Sequence, residues 1–275
     1  VGQWEWIKKR AQRGAKIHDG KGLSEILLGW CFWLRTDVRT VLVKDIRVFW
    51  RDTTQWGQTL ILFGLLGVYI MNLRHFSAQM VNPFWIQLVS YLNLFTCSLN
   101  LATLTTRFVY PQFSLEGKRI WIIGMAPLGM ARVVRTKFWL AALASLFVTL
   151  GLMCLSCQML KQSFDRTVFF CCVITVMTFT LTGLAVGLGA IYPNFKEDNP
   201  SKIVSGFGGT LCLVLSFVYI VFSIVTLSLG STGWRTPGAS GVPGLFSLLL
   251  FLGVSSLLLW LPMRIGLRKA VSAEL

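Results

Sequence analysis

Charge is scarce in this 275-residue chain: Asp, Glu, Lys and Arg together make up 13%, about half of the roughly 25% usual in soluble domains. The scarcity is also uneven, because six long runs contain none of these four residue types. A surface so poor in charge cannot be kept in water, which excludes an ordinary soluble fold. Strict alternation of polar and apolar residues is lacking too, and with it the signature of a barrel of membrane strands. No short apolar stretch follows a basic start, so the sequence reads as carrying no secretory signal. It opens on Val1 rather than Met, and the stretch from Gly2 to Trp6 followed by Lys8, Lys9 and Arg10 resembles mid-protein sequence, so a processed chain or a fragment is expected.

Several chemistries are missing as well. There is no GxxxxGK[ST] phosphate loop; the nearest stretch, HDGKGLS, lacks the spacing that wraps phosphates at a helix start. HExxH and GxSxG are absent, and His18 and His75 lie far apart and outside the apolar runs. The apolar runs hold no carboxylate of the kind that binds an ion or proton in coupled transporters and pumps. The expectation is a chain with no catalytic residues and no metal or cofactor of its own.

What is present is apolar length. A hydrocarbon core about 30 Å thick needs roughly 20 apolar helical residues to cross it. Six runs qualify, at about Trp56 to Leu73, Phe84 to Thr106, Phe138 to Cys157, Thr167 to Ile191, Ile203 to Leu229 and Leu245 to Met263. Backbone polar groups in lipid must be satisfied within the segment, so these runs predict helices and an all-α, polytopic membrane protein. With the amino terminus in the cytoplasm, the inside stretches 1–55, 107–137, 192–202 and 264–275 hold 22 of the 26 Lys and Arg residues. Outside remain Arg74, Lys161, Arg166 and Arg235. That asymmetry predicts cytoplasmic termini. It also explains the net charge of +15 by anionic membrane lipids rather than nucleic acid.

Residues 1–25 read as a flexible cytoplasmic linker. Within 26–55, Val38, Val41, Leu42, Ile46 and Phe49 repeat at helical spacing opposite Arg39, Lys44, Arg47 and Arg51, which predicts an interfacial amphipathic helix before the 56–275 span domain. Between the second and third runs, Ser114 is a candidate N-cap with Glu116 in the first turn, followed by Ile120, Trp121 and Ile123. Pro127 resets the direction, and Met130, Val133 and Val134 with Arg132, Arg135 and Lys137 lead into the third span, so two short amphipathic helices are expected at the cytoplasmic surface. In YPNFKEDNPSK, Pro193 stops the fourth helix and Asn199-Pro200 or Ser201 starts the fifth. The acids Glu197 and Asp198 there suit either a basic partner surface or a solvated turn.

Inside the runs, Gly183, Gly187 and Gly189, with Gly206 and Gly209 further on, offer small faces for close helix packing. Asn93, Asn100 and Thr103 are costly in lipid and should face helices or a translocation path. Cys154 and Cys157 end the third run and Cys171 and Cys172 begin the fourth; small packing residues is one reading, a disulfide or metal site near the outer face the other.

Six spans, a preceding amphipathic helix and a structured segment between spans two and three together resemble the type-2 ABC exporter permease. Four segments, VKDIRVFWRDTTQWGQTLILFGLLGVYIMNLR, TTRFVYPQFSLEGKRIWIIGMAPL, RTKF and GLAVGLGAIYPNFKEDNPSKIVSGFGGTLCLVLS, cover about a third of the chain and resemble an ABC exporter family of bacterial membrane proteins. Members of that family are longer, and the likeness is to their carboxy-terminal half. The resemblance implies coupling helices that dock an ABC ATPase subunit, through Ser114, Glu116, Gly117, Lys118 and Arg119, with a smaller contact from Asn194, Lys196, Glu197, Asp198 and Ser201. It further implies a second permease half or copy, ATP and Mg bound on the partner ATPase, a location in the bacterial inner membrane, and a permease that is itself no enzyme. A non-motor membrane scaffold within a larger assembly is the alternative.

Overall fold

The computed structural model describes residues 83–115, 130–197, 199–231 and 244–272, together with isolated helical positions between 57 and 71. The elements named below all belong to the compact unit Ile61–Leu275. The linker 1–25, the amphipathic helix of 26–55, most of the first span and the segment 116–129 lie outside the described residues.

Helix α1 runs Pro83–Leu104 and continues through a π-helical stretch, Thr105–Val109, into a 3₁₀ turn, Tyr110–Gln112. The long helices α2, Met130–Met159, and α3, Phe164–Ile191, follow, then the short α4, Pro200–Val204, and the long α5, Phe207–Leu229, and α6, Leu245–Ser272. Among the described residues there is no strand, and five helical stretches are long and apolar enough to cross a membrane. These are Phe84–Gln112, Arg132–Met159, Phe164–Ile191, Phe207–Leu229 and Leu245–Lys269.

Helix α3 is the centre of the bundle. From Thr180 to Ala190 every residue is buried, which is the pattern of a helix enclosed on all sides rather than one with a single apolar stripe. Its glycines explain how neighbours come so close. A Cβ on Gly187 would lie 2.6 Å from the carbonyl carbon of Pro262 and 2.8 Å from that residue's Cβ, so α6 crosses α3 backbone against backbone. Gly266 of α6 faces the Gly187 carbonyl at the same crossing, Gly183 lies under Leu259 and Phe138, and a Cβ on Gly189 would lie 2.6 Å from the Tyr110 carbonyl oxygen. Small residues replace the hydrophobic force that lipid cannot supply between membrane helices, by letting more atoms reach van der Waals distance.

Polar pairs stitch the remaining contacts. Asn93 Nδ2 of α1 donates to Ser156 Oγ of α2 at 2.8 Å, Thr149 of α2 meets Thr178 of α3 at 3.2 Å, and Tyr219 of α5 meets Ser255 of α6 at 2.8 Å. Gln87 Nε2 donates to Ser231 Oγ at 3.0 Å and the Tyr91 hydroxyl to the Leu227 carbonyl at 3.1 Å, closing α1 onto the end of α5.

Two boundaries differ from the sequence expectation. Arg132, Arg135 and Lys137 do not sit on a separate surface helix; they occupy the first turns of α2, because nothing between Met130 and Phe138 breaks the helix. The fifth span is not continuous from Ile203. Asn199 caps α4 by accepting from the Ser201 N–H at 3.0 Å, and the chain breaks again at Ser205 and Gly206 before α5 begins. Gly209 allows that break, since a Cβ there would collide with the backbone of Val204.

Two outcomes follow from this packing. Gly187→Ala should lose about 1–3 kcal/mol of stability by overpacking, seen as a lower unfolding temperature in lipid nanodiscs. Gly253→Ala, where a Cβ meets nothing within 4 Å, should be neutral or gain roughly 0.5–1 kcal/mol from reduced chain entropy. Equal effects at both sites would reject the tight crossing. A double-mutant cycle of Asn93→Leu and Ser156→Ala should return a coupling energy of about 0.6–2 kcal/mol, and strict additivity would show that this hydrogen bond does not hold α1 to α2.

Candidate functional site

One end of the bundle collects the charge. The turn of residues 160–163 returns α3 antiparallel to α2, so the start of α2 lies beside the finish of α3. Lys269 of α6 donates to the Ile191 carbonyl at the end of α3 at 2.6 Å, and the Tyr110 hydroxyl donates to the Tyr192 carbonyl at 3.2 Å. The start of α2 and the finishes of α1, α3 and α6 therefore meet there. Arg107, Arg132, Arg135, Lys196, Lys202, Arg264, Arg268 and Lys269 are exposed at this end. Among the described residues it holds a single acid, Glu197, whose carboxylate is 3.7 Å from the Lys202 ammonium.

Local chemistry builds the end from α3 outward. A cation suits a helix carboxy terminus, where the last carbonyls carry partial negative charge, and Lys269 supplies it, its ammonium also lying 5.7 Å from the Tyr192 ring centre. Pro193 cannot continue the helix, and Tyr192 turns to stack edge-to-face on Phe207, 5.7 Å between centroids. The chain then reaches Asn194, whose N–H donates to Ser114 Oγ at 3.0 Å, while its side-chain oxygen accepts from the Lys196 N–H at 3.2 Å. Beneath this, Lys137 is 1% exposed with its ammonium 5.5 Å from the centre of the Phe113 ring, a cation held against an aromatic face. Arg264 covers the Trp260 ring at 4.6 Å on the surface of α6.

The residues singled out in sequence fall into three groups. Ser114 and Asn194, expected on two separate docking segments, are joined by a hydrogen bond, and Ser114 is a buried brace at 1% exposure rather than a presented side chain. Lys196, Glu197 and Ser201 do lie on this end, Lys196 exposed, and Glu116, Gly117, Lys118, Arg119 and Asp198 lie outside the described residues. Asn93 is fully buried and engaged by Ser156, so it faces a helix and not an open path. Thr103 returns its hydroxyl to the Asn100 carbonyl at 2.7 Å, and the Asn100 amide is buried without a partner.

Tyr110, Lys137 and Lys269 organise this end; sequence reasoning gave Tyr110 and Lys269 no role and put Lys137 on the polar side of a surface helix, where the structure buries it. Lys269 carried a signal, a base in the last turn of a helix, but its target on another helix was not legible. The burial of Lys137 carried none, since a Lys bordering an apolar run reads as a surface anchor.

The described residues do not fit a magnesium–nucleotide. Their two acids, Asp165 and Glu197, sit at opposite ends of α3, no group of three or more His, Cys, Asp or Glu side chains gathers among them, and the whole sequence lacks the phosphate loop.

No curated protein and no solved structure matches the chain. A family model does match, over residues 3–275, and its description is "Putative ATP-binding cassette". That description points to the ATPase component of a cassette system. It corrects the expected function, a permease subunit or half-subunit with a non-motor scaffold as alternative, and it corrects the expectation that the chain is no enzyme. The likeness to ABC transport proteins holds at this coarser level. With nearly its whole length matched, the chain belongs to the family described as a putative ATP-binding cassette.

Proposed function

We propose that this chain is an ATP-hydrolysing component of an ATP-binding-cassette system, built on a membrane-embedded helical bundle whose basic end takes part in the work of hydrolysis. One coincidence carries the reading: cassette-family membership over residues 3–275 falls on a chain whose described residues include five helices of membrane-crossing length and composition. The exposed Leu, Phe, Val and Trp side chains along α2, α5 and α6 suit lipid contact. Lys and Arg mark the cytoplasmic side of a membrane protein, so the basic end faces the cytoplasm, where ATP is, with both termini on that side. The membrane is the bacterial inner membrane.

ATP with Mg²⁺ is held by residues outside the described ones. Lys196, Glu197, Ser201 and Asp198 form one part of the contact with the nucleotide-binding part, and Glu116, Gly117, Lys118 and Arg119 form the other. Ser114 and Asn194 hold the two parts in register. Gly183, Gly187, Gly189, Gly206 and Gly209 serve packing. A second copy of the chain and anionic lipids complete the assembly.

The test uses the complex purified from its own membrane and returned to lipid nanodiscs. Lys196→Glu reverses an exposed charge and Ser114→Ala removes the brace. Each should lower ATP turnover by about fivefold, the scale of a coupling free energy near 1 kcal/mol, with membrane insertion and the amount of chain recovered unchanged. Absence of any ATP hydrolysis with the purified chain, or turnover indifferent to both substitutions, would sink the proposal.

A further inference from the structure

Four cysteines lie along the α2–α3 hairpin, at the end opposite the basic one. Cys154 and Cys157 lie in the last turns of α2 and Cys171 and Cys172 in the second turn of α3, and all four are free thiols. The short turn between the helices brings two of them together: Cys154 Sγ and Cys171 Sγ are 3.7 Å apart. No other thiol–thiol hydrogen bond occurs among the described residues. Cys154 is exposed and Cys171 half-buried, so this pair lies on the outer surface of the hairpin, whereas Cys157 is sealed in the core. Cys172 is also exposed, but as the neighbour of Cys171 it projects about 100° further round the helix.

The surroundings select among the reactions open to two thiols. A metal centre requires more ligands than these, and no group of three or more His, Cys, Asp or Glu gathers among the described residues. Two thiols in van der Waals contact, with no third ligand, are the reactants of disulfide formation. The Sγ–Sγ distance of 3.7 Å has to close by less than 2 Å to reach the roughly 2.05 Å of a disulfide. Cys154 lies five residues before the end of α2 and Cys171 seven after the start of α3, about 8–10 Å of helix from either end. A small uncharged oxidant reaches that depth.

We infer that Cys154 and Cys171 are a modification site, a dithiol that a small disulfide-bearing oxidant converts to an intramolecular disulfide pinning α2 to α3. The Cys154 thiolate, the more exposed of the two, attacks one sulfur of the oxidant's disulfide and expels a thiolate, forming a mixed disulfide. The Cys171 thiolate then attacks Cys154 Sγ and expels the second thiolate. The two expelled thiolates take up the two protons the cysteines gave up. The chain is oxidised by two electrons and the oxidant is reduced to two thiols. Cys157 and Cys172 take no part.

The full chain in lipid nanodiscs, treated with 4,4′-dipyridyl disulfide, quenched in acid, alkylated with N-ethylmaleimide and digested, tests this. The expected result is loss of two alkylatable thiols, a Cys154–Cys171 cross-linked peptide, two thiopyridones released by the pair, and full reversal by dithiothreitol. Cys157→Ser should leave the cross-link intact. Cys171→Ser should halt at a single mixed disulfide on Cys154, and Cys154→Ser, a change at an exposed position, should abolish the cross-link if the first variant fails to fold. Separate mixed disulfides on Cys154 and Cys171, a cross-link through Cys157 or Cys172, or both thiols still alkylated as in the untreated chain would each overturn the inference.

Discussion

The rest of the structure hangs on the crossing of α6 over Gly187 of α3. The Pro262 backbone occupies the place where a side chain at position 187 would be, and Gly266 repeats the approach one turn on. Only at that separation does Lys269, the last base of α6, reach the Ile191 carbonyl at 2.6 Å. That ammonium satisfies an orphan carbonyl at a helix end, which in apolar surroundings has few other partners. Once α3 stops there, Tyr192 turns outward, the Tyr110 hydroxyl finds its carbonyl, and Asn194 reaches Ser114. The basic end is therefore a consequence of helix packing in the apolar zone.

The same dependence explains which features were legible in the sequence. Apolar length and the lack of charge marked the runs Phe84 to Thr106, Thr167 to Ile191 and Leu245 to Met263, which fall within the helical stretches Phe84–Gln112, Phe164–Ile191 and Leu245–Lys269, because the requirement acts residue by residue along one segment. Glycine spacing in α3 indicated close packing, and Gly183, Gly187 and Gly189 do lie at contacts. Boundaries set by a single turn were less legible. Pro193 and Asn199-Pro200 marked real breaks, whereas the run from Met130 to Lys137 looked like a separate amphipathic piece and is the start of α2. Its bases belong to a helix leaving the membrane surface, and periodicity is the same whether such a helix lies flat or turns upward.

Contacts between segments were the least legible, for pairing is a property of two helices at once. Nothing near Asn93 in sequence names Ser156 as its partner, and nothing near Cys154 distinguishes Cys171 from Cys172. The Ser114 assignment illustrates the difference. Its residue type suggested a helix cap facing out, yet its hydroxyl is turned inward to accept from a backbone N–H eighty residues away. A hydroxyl at 1% exposure is held for its hydrogen bond, since leaving the Asn194 N–H without an acceptor there would cost about 1–3 kcal/mol.

Family membership and membrane architecture fit together once charge is followed through the bundle. A triphosphate with its metal needs convergent backbone N–H groups and a Lys for the phosphates, and oxygen ligands for the ion. The described residues offer exposed guanidinium and ammonium groups at one end and a single acid beside them, already close to Lys202. Such a surface can attract phosphate but cannot hold its magnesium. Cations spread over the ends of α1, α2, α3 and α6 suit a broad acidic surface better than one small anion. Because α3 is enclosed by α6, α2 and the end of α1 through glycine contacts that leave no slack, force applied at Tyr192–Lys202 is carried into the apolar zone by a stiff element rather than absorbed in a loop.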